Sequence, residues 1–377
     1  MKKSFVFSGA VLAATAIALT GCSSGGTAGA TSSGGASQFT LDFANYSESV
    51  PLFKVIHSTL DEQNTSASGT TINWYDNNGD ASTMLSNTQL MISENPDAIA
   101  MYPVSAATDG ISKLLADSGI PCVSVNIATP ACSFLNIDNK QLGIDTGTIV
   151  GNLAKAKGWN ASNTTILLGQ NAAAGEQVND CVRYFYSTIA SILGLEEIDP
   201  TTITPTTTTI GANAIQFDGQ STLQPSFAAV QGLAPSIPAG NNVILYTVNN
   251  DSTNGALRAL TDAGLAGDDK LMIGGLGGDS SGITALATDP RWVAEGDIFV
   301  SYWGEYATAM AQALAAGVKP PAAVTPLPQK VLDKTTLAQY HPDSTTAVAK
   351  LPALVPDNQF LADTPYLKFV DNVEGVN

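Results

Sequence analysis

Basic residues are scarce in this 377-residue chain: 16 Lys and Arg stand against 33 Asp and Glu, for a formal net charge of -17. That balance has the wrong sign for neutralising phosphates, so nucleic acid and anionic membrane surfaces are excluded as partners. Arginine is limited to Arg183, Arg258 and Arg291. Bidentate clamps for carboxylate or phosphate ligands are correspondingly few, which favours a neutral or cationic ligand. The two histidines, His57 and His341, are far apart, and no zinc spacing such as HExxH or paired CxxC occurs. Neither a metal nor another cofactor is therefore expected. No apolar run is long enough to span a bilayer comfortably. What is abundant is apolar material, 44% of residues against 13% charged. A folded globule with room for two domains follows, at roughly 150 residues per domain.

The start, Met1-Lys2-Lys3 followed by the apolar stretch Phe5 to Leu19, reads as an export signal over residues 1–21. It ends Leu19-Thr20-Gly21-Cys22, which resembles the bacterial lipobox. That resemblance implies cleavage before Cys22 and lipidation of its sulfur, and the Ser/Gly-rich residues 22–38 read as a flexible tether. The expected location is extracytoplasmic, at the cell surface or in the periplasm, with the membrane touched through the lipid anchor only. Cys122, Cys132 and Cys181 remain, in a compartment where a disulfide persists. Cys122 lies in the apolar run Ile120 to Val125 and reads as a buried thiol, so the expected disulfide is Cys132 to Cys181.

From Phe39 onward short apolar runs alternate with amphipathic stretches, the pattern of βαβ units around parallel sheets. Strands are expected at Phe39 to Phe43, Thr71 to Tyr75, Ala98 to Met101, Cys122 to Val125, Thr165 to Leu168, Val243 to Thr247 and Leu271 to Ile273. Stripes such as Leu52, Val55, Ile56 and Leu60 mark core-facing helices between them. Thr201 to Thr209, seven Thr in nine residues, suits an edge strand or loop. The tail beyond Leu332 is proline-punctuated and reads as an extended surface wrap.

Several stretches now combine: Pro51-Leu52-Phe53; Asp97 to Val104; Gly119 to Asn126; Ile137-Asp138-Asn139 with Gly143; Asn249-Asn250-Asp251 before Gly255 to Leu260; and the glycine-rich Ile273 to Gly278. In this order, from about Phe39 to about Pro328, the chain resembles the solute-binding proteins of bacterial ABC importers of the ribose-binding type, the type I periplasmic-binding fold. The resemblance implies an α/β protein of two Rossmann-like lobes with parallel sheets joined by a three-segment hinge, crossing near Ile137, Ser301 and Pro328. The expected division is residues 39–137 plus 302–328 in the N-terminal lobe, and 138–301 plus 329–377 in the C-terminal lobe and tail. It also implies a monomer that captures a sugar or polyol, is not an enzyme, and delivers its solute to an ABC permease.

Carried over by position, Tyr46, Ser47 and Phe53 fall in the first loop, where the family supplies a polar contact and an aromatic wall. Tyr102 and Asn126 end the next strands, Phe217 matches a stacking position, and Asn250 an amide that binds ligand. Asp279 substitutes for an acid usually two positions earlier, and Trp303 with Tyr302 offers aromatic surface near a crossing. Asp138 reads as a helix cap. Departures occur where this chain has Asn126-Ile127, Leu276-Gly277 and Cys181 in place of the family's acid-Arg, aromatic-Asp and Arg. They weaken a monosaccharide clamp and leave a neutral polyhydroxy ligand, sugar or cyclitol, as the expected class. Two other readings stand beside it. A receptor that presents its solute to a membrane signalling partner would use the same closed-lobe recognition. A serine hydrolase is suggested by Gly278-Asp279-Ser280-Ser281-Gly282, a GxSxG pattern with Ser280 as nucleophile and His341 downstream. A repressor of related fold would need a basic helix-turn-helix where the export signal stands.

Overall fold

Thirteen strands and eleven helices arise from this alternation, and the computed structural model describes residues 38–376. The export signal, Cys22 and nearly all of the tether lie outside the described residues. The first sheet contains β1 (Phe39–Asn45), β2 (Thr70–Asp76), β3 (Ala98–Met101), β4 (Cys122–Val125), β5 (Ser133–Asn136) and β12 (Val324–Pro326), in the order β12-β5-β4-β3-β1-β2. Every pairing in it is parallel. Helices α1 (Pro51–Gln63), α2 (Ala81–Glu94), α3 (Thr108–Ser118) and α9 (Trp303–Ala315) belong with it.

The second sheet contains β6 (Thr164–Gln170), β7 (Thr209–Ile210), β8 (Ala214–Asp218), β9 (Asn242–Thr247), β10 (Leu271–Gly277), β11 (Trp292–Asp297) and β13 (Lys330–Leu332), in the order β13-β11-β10-β9-β6-β8-β7. Its interior is parallel, and its two edge strands, β13 and β7, pair antiparallel. The threonine-rich stretch therefore ends in edge strand β7. Helices α4 (Asn139–Ala156), α5 (Glu176–Leu193), α6 (Leu223–Leu233), α7 (Asn250–Asp262) and α8 (Ser280–Thr288) accompany it. Strands β6 and β9 are buried along their whole length, as expected where helices cover both faces of a parallel sheet.

Local chemistry sets the helix starts. Asp80 Oδ1 accepts the Thr83 amide at 2.7 Å at the start of α2. Asp138 does the same for Gln141 at 2.9 Å at α4, the cap the sequence suggests. Helices α4 and α5 pack so closely that a Cβ at Gly143 would run into the Cys181 carbonyl, and a Cβ at Gly255 on α7 would run into that of Leu223 on α6. Glycine is required at both close approaches.

The chain passes between the sheets three times: from β5 to α4 at residues 137–138, from β11 to α9 at 298–302, and from β12 to β13 at 327–329. The first and third passages are tied together, because the Asp138 amide donates to Gln329 Oε1 at 2.6 Å and Gln329 Nε2 donates back to Asp138 O at 3.2 Å. In the second, Phe299 takes a left-handed backbone, φ 44°.

Two expectations are corrected. The disulfide joins Cys122 to Cys132, not Cys132 to Cys181. Parallel pairing of Val123 with Ser133 places the residues just before them side by side, whereas Cys181 is a buried free thiol on α5 in the other sheet's layer. The tail is not a loose extended wrap. Its short helices, α10 (Leu337–Tyr340) and α11 (Pro365–Phe369), pack on α8 and α9 respectively, so the tail touches both lobes. Leu351, Leu361, Tyr366 and Leu367 are fully buried. His341 Nε2 and Asp297 Oδ2 pair at 2.6 Å in the interior.

Candidate functional site

Strands β4, β3 and β1 are neighbours in the first sheet, so the loops leaving their carboxyl ends lie side by side. Such ends are where open parallel sheets bind ligands. The loops carry Tyr46 after β1, Tyr102 after β3, and Asn126 with Ile127 after β4, and together with Phe53 of α1 they enclose a cavity of about 480 Å³. Every residue lining it belongs to the first lobe, and none is charged. The Tyr46 and Phe53 rings stand 5.0 Å apart, and Tyr102 meets Phe53 edge-on at 5.2 Å. Asn126 has a left-handed backbone, φ 67°. Its amide N–H donates to Leu135 O at 3.0 Å, while its side-chain amide has no hydrogen bond among the described residues. Asparagine tolerates this conformation better than most residues, and its side-chain donor and acceptor remain unspent in a residue of the cavity wall.

Four of the sequence-selected residues, Tyr46, Phe53, Tyr102 and Asn126, are thus brought together. Ser47 is not among the lining residues: it is buried, and its Oγ pairs with Ser49 Oγ at 2.8 Å. Phe217 lies in the hydrophobic interior of the second lobe, packed over Gly169. Trp303 is also interior, its indole N–H donating to Ile298 O at 2.8 Å. Asp279 is exposed and caps α8, accepting the Ser281 and Gly282 amides at 2.8 and 3.0 Å. Asn250 is buried, and both ends of its amide are engaged inside the protein. Its Nδ2 donates to Glu295 Oε1 at 2.8 Å, and its Oδ1 accepts the Leu276 amide at 3.2 Å.

Glu295 is itself buried on β11. Burial pushes its carboxyl up to about 8, against the downward pull of N–H donors from Gly278, Asn250 and Trp292. A second buried acid, Glu305 on α9, is also pushed up to about 8 by burial. Neither of its oxygens finds a hydrogen-bond partner, and its charge would bear on Tyr102 behind the cavity wall.

Sequence reasoning did not select Pro103 or Ser105, which also line the cavity, and named Ile127 only as a departure from the family's pattern. Pro103 stands two residues past the end of β3, where the strand end itself points to it. In the second lobe the loops after β6, β8 and β9 are braced together: Asn171 Nδ2 donates to Ser221 Oγ at 2.7 Å, and Asn249 Nδ2 to Ser221 O at 2.8 Å. A further cavity of about 340 Å³ has residues of both lobes in its wall, Asn136 and Pro326 on one side and Gln177 and Asp180 of α5 on the other. The carboxyl ends of β5 and β12 therefore share a cavity with the first turns of α5.

The hydrolase constellation is not assembled. Ser280 is exposed at the start of α8, while both ring nitrogens of His341 are engaged elsewhere, with Asp297 Oδ2 and with Ala347 O at 3.1 Å. Among the described residues no cluster of three or more His, Cys, Asp or Glu is arranged to hold a metal ion, and no helix is long and apolar enough to cross a membrane.

Two lobes, parallel sheets and a triple crossing around a cleft define a two-lobed binding protein. Residues 41–319 match the periplasmic binding protein domain, and the chain belongs to that family, which is non-catalytic. No curated protein matches the sequence. Among solved structures, an ABC transporter solute-binding protein from Mycobacterium smegmatis with bound glycerol aligns at TM-score 0.61 and 19% identity, covering 80% of this chain and 96% of that one. An ABC transporter solute-binding protein from Bacillus halodurans with bound myo-inositol aligns at TM-score 0.61 and 16% identity, with 82% and 99% covered. The arabinose-transporter binding protein from Shewanella, bound to arabinofuranose, aligns at TM-score 0.60 and 17% identity, with 80% and 93% covered. These likenesses agree with the type I periplasmic-binding fold.

Proposed function

We propose that this protein captures a small neutral polyhydroxy ligand, a sugar or cyclitol, and delivers it to an ABC permease. The observation that carries the reading is the charge-free cavity lined by Tyr46, Phe53, Tyr102 and Asn126, the last with a side-chain amide that makes no hydrogen bond among the described residues. Aromatic faces suit the C–H surfaces of a sugar ring, and an amide can donate to one hydroxyl while accepting from another. A carboxylate or phosphate ligand would find no cation there. The solutes named for the structural neighbours, glycerol, myo-inositol and arabinofuranose, are of the same chemical class.

In this reading the ligand first occupies the first-lobe wall. Closure then brings up the second-lobe rim at Asn171, Ser221 and Asn249, with Asp279 at its border. Only a ligand that binds the closed arrangement more tightly than the open one shifts that population. Ser47, Phe217, Asn250 and Trp303 act in it as supports behind the binding surface. In this reading the lobes are residues 39–137 with 302–328 and residues 138–301 with 329–377, the last including the tail. Lipidation at Cys22 would hold the protein outside the cytoplasmic membrane, within reach of the permease.

The test is a thermal-shift screen of the full chain against D-ribose, L-arabinose, D-galactose, D-fucose, myo-inositol and glycerol, with amino acids as controls. A solute at about 100 times its dissociation constant adds roughly 2.7 kcal/mol to the folded state. A shift with one or more sugars or cyclitols and none with charged amino acids is expected. Stabilisation by charged amino acids alone would overturn the reading.

A further inference from the structure

Residues 46–50 connect β1 to α1 and carry Tyr46 into the cavity wall, and their position is set by a chain of side-chain bonds leading away from it. Asn45 is fully buried. Its Oδ1 accepts the Tyr46 amide at 3.0 Å, and its Nδ2 donates both to Phe53 O at 3.0 Å and to Glu48 Oε1 at 2.7 Å. The same Glu48 oxygen lies 2.8 Å from His57 Nδ1. His57 sits one helical turn beyond Phe53 on α1, and its other ring nitrogen is 3.2 Å from Asp61 Oδ2. The imidazole lies over Trp74, ring centres 3.8 Å apart, and the Trp74 indole N–H donates to Asp61 Oδ1 at 2.8 Å. Trp74 in turn stacks on Phe43 at 4.7 Å, and Phe43 on Tyr102 at 5.7 Å.

Each end of this chain therefore terminates on a wall of the cavity, and Glu48 is its one link supplied by the mobile kind of element, a loop. We infer that Glu48 and His57 are positioning residues for solute capture, clamping the first loop to α1 so that Tyr46 and Phe53 stand at a fixed separation before the solute arrives. The inference rests on the cavity being the solute site, as proposed above. Its physical basis is preorganisation: ordering the loop in advance removes an entropy cost that binding would otherwise carry. Glu48 touches no cavity space itself, and both it and His57 are partly exposed. Truncating it leaves the hydrophobic core untouched.

The experiment compares Glu48→Ala and Glu48→Gln with the unmodified full chain, reading amide hydrogen exchange and solute affinity. The reporters are the amide of Tyr46 and that of Gly79, which donates to Tyr46 O at 2.8 Å. Glu48→Ala should speed exchange at both by about tenfold, the equivalent of one charge-assisted hydrogen bond, with helices of the second lobe unaffected. Glu48→Gln keeps an oxygen that can accept from Asn45 and His57, and should restore slow exchange. For whichever sugar of the thermal-shift panel binds the unmodified chain, Kd should weaken about tenfold in the Ala variant and recover in the Gln variant. Unchanged exchange in Glu48→Ala overturns the clamp. Faster exchange with unchanged Kd overturns its role in capture. If no panel sugar binds the unmodified chain, the proposed function fails, and the exchange comparison alone still decides whether the clamp exists.

Discussion

Replacing Glu305 by Gln should change how stability depends on pH. The side chain is fully buried on α9 among Tyr102, Tyr306 and Tyr366, and neither carboxyl oxygen has a hydrogen-bond partner. Burial outweighs the downward pull of its own backbone and favours the neutral acid, which moves its titration from 4.5 to about 8. A carboxyl whose folded value is raised keeps its proton in the folded state where the unfolded chain has already released it. Stability therefore falls as pH rises between those two values, by about 1.4 kcal/mol per unit and roughly 4 to 5 kcal/mol across the window. Glutamine is neutral throughout and of the same shape. Urea unfolding at pH 5, 6, 7 and 8 should show the variant close to the unmodified protein at pH 5 and increasingly more stable than it towards pH 8. Other titrating groups, Glu295 included, are common to both proteins and cancel in the difference. A difference that is the same at pH 5 and pH 8 would refute the reasoning, because it would mean that the carboxyl is not held neutral.

Asn126→Gly keeps the left-handed backbone without strain and removes only the amide, so it should weaken sugar binding by about 1.4 kcal/mol, tenfold in Kd by calorimetry, with unfolding midpoint unchanged. Asn250→Ala should behave oppositely: it strips two buried hydrogen bonds, one of them from Glu295, and should cost about 2 to 4 kcal/mol of stability in denaturant titration. Replacing Cys122 and Cys132 by Ser together should cost about 2 to 3 kcal/mol, the expectation for closing so short a loop. Cys181, whose thiol burial pushes up to about 12, should react with a thiol reagent only on unfolding. For His341, burial pulls the imidazole down and its bond and charge interaction with Asp297 more than reverse this, leaving it raised. The imidazole's own contribution is thus complete below the ordinary histidine value and lost as pH climbs through the raised one, so the cost of His341→Asn should be greater at pH 6 than at pH 9.

Strand positions were legible wherever burial on both faces wrote a continuous apolar run: Ala98–Met101 and Cys122–Val125 are as expected, and Val243 to Thr247 lacks only Asn242. Strand β10 runs on through Gly277, past the apolar signal at Ile273, because Gly275 must leave room for Glu295 and Trp292. Strand β11 escaped notice because it carries Glu295 and Asp297, both buried, and charged residues at that spacing read as surface. Tyr46, Phe53, Tyr102 and Asn126 are carried over from the family resemblance, and they meet at one cavity because β4, β3 and β1 are adjacent in the sheet. Asn250 also follows a strand end, but its partner Glu295 lies 45 residues away, and nothing local announces that its amide is already spent. The disulfide failed for a similar reason: register between β4 and β5 decides it, and a ten-residue separation in sequence does not reveal register.

The most direct test of the central claim is a crystal structure of the full chain with the panel sugar or cyclitol that gives the largest thermal shift. The solute should lie in the first-lobe cavity, its C–H surface against Tyr46, Phe53 or Tyr102 and its hydroxyls within hydrogen-bond reach of the Asn126 amide. A solute bound instead in the cavity beside Asp138 and Asp180, or one that leaves the Asn126 amide unengaged, would contradict it.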